Sequence, residues 1–471
     1  MFRSQLIRLL VTLSPKEIKN FNKFLNSPIF NIHQDTIRLF EVLEKAYPDF
    51  SAIESETLFE KLFPGQPYKD EVLRTLRKYL LGRLKDFLAY QNWRQQPQNV
   101  SLSLLEDLSK RESEDDFVKE FKKSQTSLNR TPIQDSDHFL IEFHLKKRWI
   151  DYETTSIKRQ NFPDLESLVT ALDHFYLAEK LQFLASDLST QRIFKRPPSK
   201  FILSQEILNH VLANLQSFPM IIQVYGLACQ FMTEEENGEE TFMKFRGLLS
   251  NHTRAFSNED LSNLYIYAIN FANQGYLHGK ENYLQLMFEL YNEMLELDLL
   301  FEGKTFSLNN YKNLTTLGLR LKKLDWVEDF IETYKVYLDE ENWEAVYNYN
   351  LAHLYIYQGK YSEALRLLQE VSFLDSFYQL STKMLQLKIY FEQKDVEMFF
   401  TLSKTFETHV KRQKEITEHR KTAFINFIKT AKAIFRIKIG EKDNREKTYE
   451  LIQQSIPLIE KEWIKEQYQS L

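Results

Sequence analysis

The chain has one cysteine, 11 glycines and 12 prolines in 471 residues. A single thiol excludes an intrachain disulfide framework, and Cys229 lies in the apolar run IIQVYGLACQF, where a lone cysteine packs as a small core residue. So few glycines and prolines leave too little turn material for a sheet of many hairpins, and helices are the expected content. No run of 18 apolar residues occurs, so no membrane-spanning helix is expected. The opening MFRSQLIRLLVTLSPKE has its apolar stretch broken by Arg8 and lacks a small-residue cleavage site, so it does not read as a secretory signal, and a cytoplasmic protein is expected.

The chemistry of the common enzyme classes is also missing. The glycines are scattered singly, which excludes a glycine-rich phosphate loop, and no serine sits in a glycine-flanked elbow. His138 and His144 are six apart and His409 and His419 ten apart, so neither pair shares a helical face for a metal, and no second cysteine is available. Pairs such as Glu328-Asp329 and Glu340-Glu341 are adjacent and diverge on a helix. No catalytic residue, cofactor or metal is expected, and a non-enzyme is the reading.

What is present is ample apolar material, 43% hydrophobic and 14% aromatic, enough for a long helical core. The net charge of −5 is unevenly distributed. Residues 1–100 hold 15 basic and 11 acidic side chains, residues 201–300 hold 4 and 13, and residues 401–471 hold 15 and 10. Basic ends around an acidic middle suit surfaces that attract different partners.

Ser14-Pro15-Lys16-Glu17 carries a capping serine, a proline for the first helical position and a glutamate for the third, so a helix is predicted to start there with Ile18, Phe21, Phe24 and Leu25 inward. Further helices are predicted through Ile37–Ala46, over SETLFEKLF, and from about Tyr68 to Trp93 with Val72, Leu73, Leu76, Tyr79, Leu80, Leu84, Phe87 and Leu88 inward. The polar stretch QQPQNVS, from Gln95 to Ser101, reads as a boundary, giving a helical N-terminal domain over 1–95. Irregular helical hairpins are expected over 101–258, with the acidic TEEENGEE as an exposed connection, and capping helices over 411–471.

Residues 259–410 repeat. Shifting NLTTLGLRLKKLDWVEDFIETYKVYL onto NYNLAHLYIYQGKYSEALRLLQEVSFL by 34 residues pairs Gly318 with Ala352, Leu321 with Tyr355, Asp325 with Gly359, Val327 with Tyr361 and Phe330 with Ala364. Physically, two helices joined by a tight turn cross at roughly 8–10 Å, so Ala352 and Ala364 belong at the crossing and Gly359 at a left-handed cap. In the preceding unit Gly318 is expected to face Phe330, a smaller residue offsetting a larger one.

Ala352, Tyr355, Gly359, Tyr361, Ala364 and Leu368 resemble the tetratricopeptide repeat, most specifically over 307–376; the opening tryptophan of that pattern is replaced by Asn348 and a later alanine by Val371. The resemblance implies an all-α, right-handed superhelix of antiparallel hairpins with a concave, peptide-binding surface. At the family's first-helix ligand positions it places Lys312, Lys322, Lys323, Val346, Tyr349, His353, Tyr357, Met384, Lys388 and Phe391, a set suited to acidic or carboxyl-terminal peptides. The lysine–asparagine carboxylate clamp of some relatives is not reproduced, Thr315 and Leu319 standing in those places. The implied function is a non-catalytic scaffold or adaptor gripping a peptide or helix of another protein. The alternative is a transcription regulator whose N-terminal helical domain meets DNA phosphates through Arg74, Arg77, Lys78 and Lys85, with the repeat array sensing a ligand.

Overall fold

The computed structural model describes residues 4–51, 53–155, 163–194, 197, 199–234, 238–371, 376–441 and 444–471. Residues 235–237 of the acidic connection and 372–375 of the repeat lie outside the described residues. Among the described residues the fold is all-α apart from one two-residue antiparallel pair, Phe301–Glu302 with Thr305–Phe306, which the sequence reading did not anticipate. No helix among the described residues is long and apolar enough to cross a membrane. The chain forms two compact units, residues 1–179 and 180–471.

In the first unit the predicted capping box is present. Ser14 Oγ accepts from the Glu17 amide, and Glu17 Oε2 accepts from the Ser14 amide at 2.8 Å, opening the helix Pro15–Leu25. Its apolar stripe buries Phe21 edge-on against Phe40 at 4.8 Å, next to Leu73, Leu80, Leu84 and Phe87 of the helix Asp70–Gln95. Val72 and Tyr79, expected inward, are 37% and 50% exposed. They stand beside Leu73 and Leu80 but outside the buried stripe of Leu73, Leu80, Leu84 and Phe87, whose partly buried margin is taken by Leu76, Leu81 and Leu88. The polar stretch read as a boundary is helical from Pro97, whose fixed φ suits a first helical position; the helix Pro97–Lys110 follows with its own small core around Leu105, Phe117 and Phe121. Residues 6–88 thus share one apolar cluster and 105–145 another, within a single unit.

The second unit is built from consecutive helix pairs, among them Asn258–Leu277 with Asn282–Glu296, Leu308–Arg320 with Leu324–Tyr334, Trp343–Tyr357 with Tyr361–Glu370, and Ser376–Gln393 with Val396–Arg412. Each pair turns through the same device. A residue of positive φ follows the first helix, and two amides reach back into its last turn. Gly359 (φ 75°) donates to the Ile356 carbonyl while Lys360 donates to that of Tyr355. Gly279, Lys322 and Lys394 occupy the equivalent point, with Lys280, Lys323 and Asp395 reaching back to Gly275, Gly318 and Tyr390.

This turn resets the register read from the sequence. The equivalent of Gly359 is Lys322 rather than Asp325, which lies in the first turn of the next helix, where its carboxylate suits the free amides. In this register Gly318 corresponds to Tyr355 and Val327 to Ala364. The nearest side chains to Gly318 are Val327 and Trp326, not Phe330: a Cβ added at Gly318 would stand 2.5 Å from Val327 Cγ2. The exchange of large for small therefore survives with other partners, glycine opposite valine in one hairpin and tyrosine at the position opposite alanine in the next. Ala352 and Ala364 are both fully buried.

Candidate functional site

In the second unit the first helices of successive hairpins adjoin, Leu308–Arg320 beside Trp343–Tyr357 and Trp343–Tyr357 beside Ser376–Gln393. Residues at spacings of three and four on these helices share a side, which gathers Lys312 and Arg320, Tyr349, His353 and Tyr357, and Ser381 and Lys388. Against this side lies a segment from the far end of the chain. Between the helices Arg445–Gln454 and Lys461–Gln469, Glu460 takes a left-handed backbone (φ 54°, ψ 37°) and points its carboxylate at two cations. Lys388 Nζ donates to Oε2 at 2.8 Å and Arg320 Nη2 to Oε1 at 3.0 Å.

Lys388 is only 3% exposed, so this carboxylate is its counter-ion in a region that excludes water, and its Nζ also lies 5.2 Å from the centre of the Trp463 ring. Burial alone pushes the Glu460 carboxyl up, but the charges of Lys388 and Arg320 outweigh it and hold the group well below the usual carboxylate range. His353, 6% exposed, sits between Tyr349 and Tyr357 at ring separations of 6.3 and 5.7 Å. Burial, reinforced by Lys388, pushes its imidazole down to about 3, so it is neutral at physiological pH. Its Nδ1 has no hydrogen-bond partner among the described residues. Lys312 donates to Ser381 Oγ at 2.9 Å and lies over the rings of Tyr349 and Tyr378, at 4.9 and 4.6 Å. Beside Glu460 opens a cavity of about 810 Å³.

Of the residues proposed for the ligand surface, Lys312, Tyr349, His353, Tyr357 and Lys388 are brought together, and Lys322, Tyr357 and Lys388 line the cavity. Tyr349 and Lys388 are buried, whereas Tyr357 is 39% exposed. Val346 and Met384 are buried. Lys323 is set apart, on the turn above the Phe288 ring at 5.3 Å. Phe391 is fully buried against Phe399, Phe435 and Trp463 and is not available to a ligand. Thr315 and Leu319, in the positions of the clamp, are fully buried too.

Arg320, Ser381, Tyr378, Trp463 and Glu460 were not singled out from the sequence. Arg320 carries a legible signal, since it follows Lys312 and Thr316 at steps of four on one helical side. Glu460 carries none, because nothing local marks one glutamate of an acidic and basic tail as the one that folds back.

In the first unit, Arg74 pairs with Asp70 at 2.6 Å, and Arg77 is partly buried and donates to Ser55 Oγ at 2.9 Å. Lys78 and Lys85 are exposed. Among the described residues no group of three or more His, Cys, Asp and Glu side chains is arranged to hold a metal. No family model, no curated protein and no solved structure matches this chain.

Proposed function

We propose that residues 259–410 form a tetratricopeptide-like array, a right-handed superhelix of hairpins, and that the protein is a non-catalytic scaffold gripping a segment of another protein along the side carrying Lys312, Tyr357 and Lys388. The observation that carries this reading is Glu460. A remote segment of the chain lies against the first helices of the hairpins and is held by a carboxylate between Lys388 and Arg320. The same side therefore accepts an irregular acidic segment, with aromatic rings and cations lining its place. The recurrent turn at Gly279, Lys322, Gly359 and Lys394 supports repetition of one structural unit. The nucleic-acid reading draws less support, since Arg74 and Arg77 already have partners within the first unit.

The test is site-specific photo-crosslinking from position 357, which lines the cavity, in cells of the source organism. A scaffold gives one or a few discrete cross-linked proteins, and Lys322→Glu weakens those bands. Bands unchanged by Lys322→Glu, or no cross-linked protein, would remove the reading.

A further inference from the structure

The first unit carries a groove of its own, apart from the scaffold surface of the second. It lies between the helix Pro15–Leu25 and the last turns of Asp70–Gln95, with Glu17 meeting Gln91 toward one end and Phe24 meeting Phe87 toward the other, and it encloses about 740 Å³. Lys16, Asn20, Lys23 and Ser27 line it at steps of four, three and four, and Phe87, Tyr90 and Arg94 at steps of three and four. Residues so spaced share one side of a helix, so the groove follows both helices for about two turns, roughly 12 Å.

Its floor is apolar and its rim is basic. Phe24 and Phe87 are buried with their rings 5.5 Å apart, Phe30 stacks on Phe24 at 4.2 Å, and Tyr90, 42% exposed, stands 5.4 Å from Phe30. The adjoining Ile29 is 87% exposed. Around the rings stand Lys16, Lys23 and Arg94, all exposed and none with an ion-pair partner among the described residues. Elsewhere on this unit Arg38, Arg74 and Arg83 are each neutralised by an aspartate three or four residues away. The one acid lining the groove, Glu17, is already committed, since its carboxylate accepts from the Ser14 amide, the Ser14 hydroxyl and Gln91 Nε2. Three cations therefore surround an apolar trough with one saturated carboxylate between them.

We propose that this groove docks a helix of another protein, one carrying leucine or aromatic side chains at steps of three and four with glutamate or aspartate beside them. A run along two helices suits a third rod laid between them, its apolar anchors over Phe24, Phe87 and Tyr90. The three cations complement its acidic flanks and set its position, because charge around an apolar contact steers and orients the partner. Single-stranded nucleic acid fits less well: bases stack on open ring faces, whereas Phe30 covers Phe24 and Phe87 is buried. This surface belongs to the first unit and the scaffold surface to the second, so neither test bears on the other.

The probe is a fluorescein-labelled peptide, Ala-Glu-Leu-Glu-Ala-Leu-Phe-Glu-Ala-Leu-Leu-Glu-Gln-Phe-Glu-Ala, read by fluorescence anisotropy against the full-length chain. It is expected to bind with a Kd below about 100 μM, and a peptide of the same composition with its apolar residues spread around the helix to bind about tenfold or more weakly. Lys23→Glu with Arg94→Glu, and separately Tyr90→Ser, all at exposed positions, are each expected to weaken the first peptide by about tenfold or more. No binding, equal binding of the two peptides, or indifference to both variants would overturn the proposal. So would a labelled oligothymidylate that binds as tightly and displaces the peptide, which would make the groove a nucleic-acid surface. A dimer in sedimentation that Lys23→Glu with Arg94→Glu dissolves would overturn it too, by making a second copy the occupant.

Discussion

Lys388 Nζ and Glu460 Oε2 stand 2.8 Å apart, joining the middle of one hairpin to a segment seventy-two residues further along the chain. Removing Glu460 strands Lys388, and removing Lys388 leaves Glu460 with Arg320 alone. Glu460→Gln leaves Lys388 buried beside a neutral partner, and the cost is expected at about 3 kcal/mol. Lys388→Met alone is expected to cost a similar amount. The double variant recovers more than half of the summed loss, because the desolvated charges disappear together. Urea titration of the four proteins checks this, and strictly additive losses would show that the two groups do not interact.

The neutral imidazole of His353 makes stability depend on pH. Burial and the neighbouring Lys388 push it down to about 3 in the folded chain, whereas the unfolded chain protonates near 6.5. Between these values the unfolded state binds the extra proton, so the stabilising contribution is intact above 6.5 and declines as pH falls through 6 and 5. The Glu460 carboxyl, held low in the fold, adds a further loss only below about 4.5. The fall in unfolding free energy between pH 7 and pH 5 is expected to be smaller in His353→Gln than in the wild type, by about 2 kcal/mol. Equal falls would place a protonated or exposed imidazole there.

The two kinds of small residue in the hairpins fail differently when enlarged. Gly359 has open space around it but a φ of 75°, so Gly359→Ala costs backbone strain of about 1 kcal/mol, and the reverse change at the equivalent turn, Lys322→Gly, gains about as much. Gly318 is in a helix and its constraint is space. Gly318→Ala drives a methyl to 2.5 Å from Val327 Cγ2, and overpacking of about 1–3 kcal/mol outweighs the helix-propensity gain. Val327→Ala in the same chain relieves it. Thermal unfolding of these variants checks the order; a stabilised Gly318→Ala would mean the helices separate at that point.

Much of the architecture could be read from local pattern. The Ser14 to Glu17 cap, the apolar stripes of Pro15–Leu25 and Gln34–Glu44, and the left-handed glycine at 359 each follow from interactions within a few residues. The register of the repeat did not, because at Lys322 a lysine takes a conformation that sequence reasoning assigns to glycine, and a 34-residue shift aligned helix interiors while displacing the turn. Val72 and Tyr79 were misplaced because they flank the buried stripe of Leu73, Leu80, Leu84 and Phe87 at its margin, and the width of that stripe is set by the neighbouring helices rather than by local pattern. Half of the candidate site was visible as cations and rings at helical spacing; the other half, Glu460 with Trp463, arrives through a long-range fold-back that no periodicity encodes.

The most direct test of the account is amide hydrogen exchange by mass spectrometry on full-length wild type and Glu460→Gln. If the bonds to Glu460 tie the stretch before the buried Ile464 to the hairpins, peptides covering 455–461 exchange at least about tenfold faster in the variant while those covering Trp343–Tyr357 keep their protection. Unchanged protection over 455–461, in a variant that is otherwise folded, would contradict it.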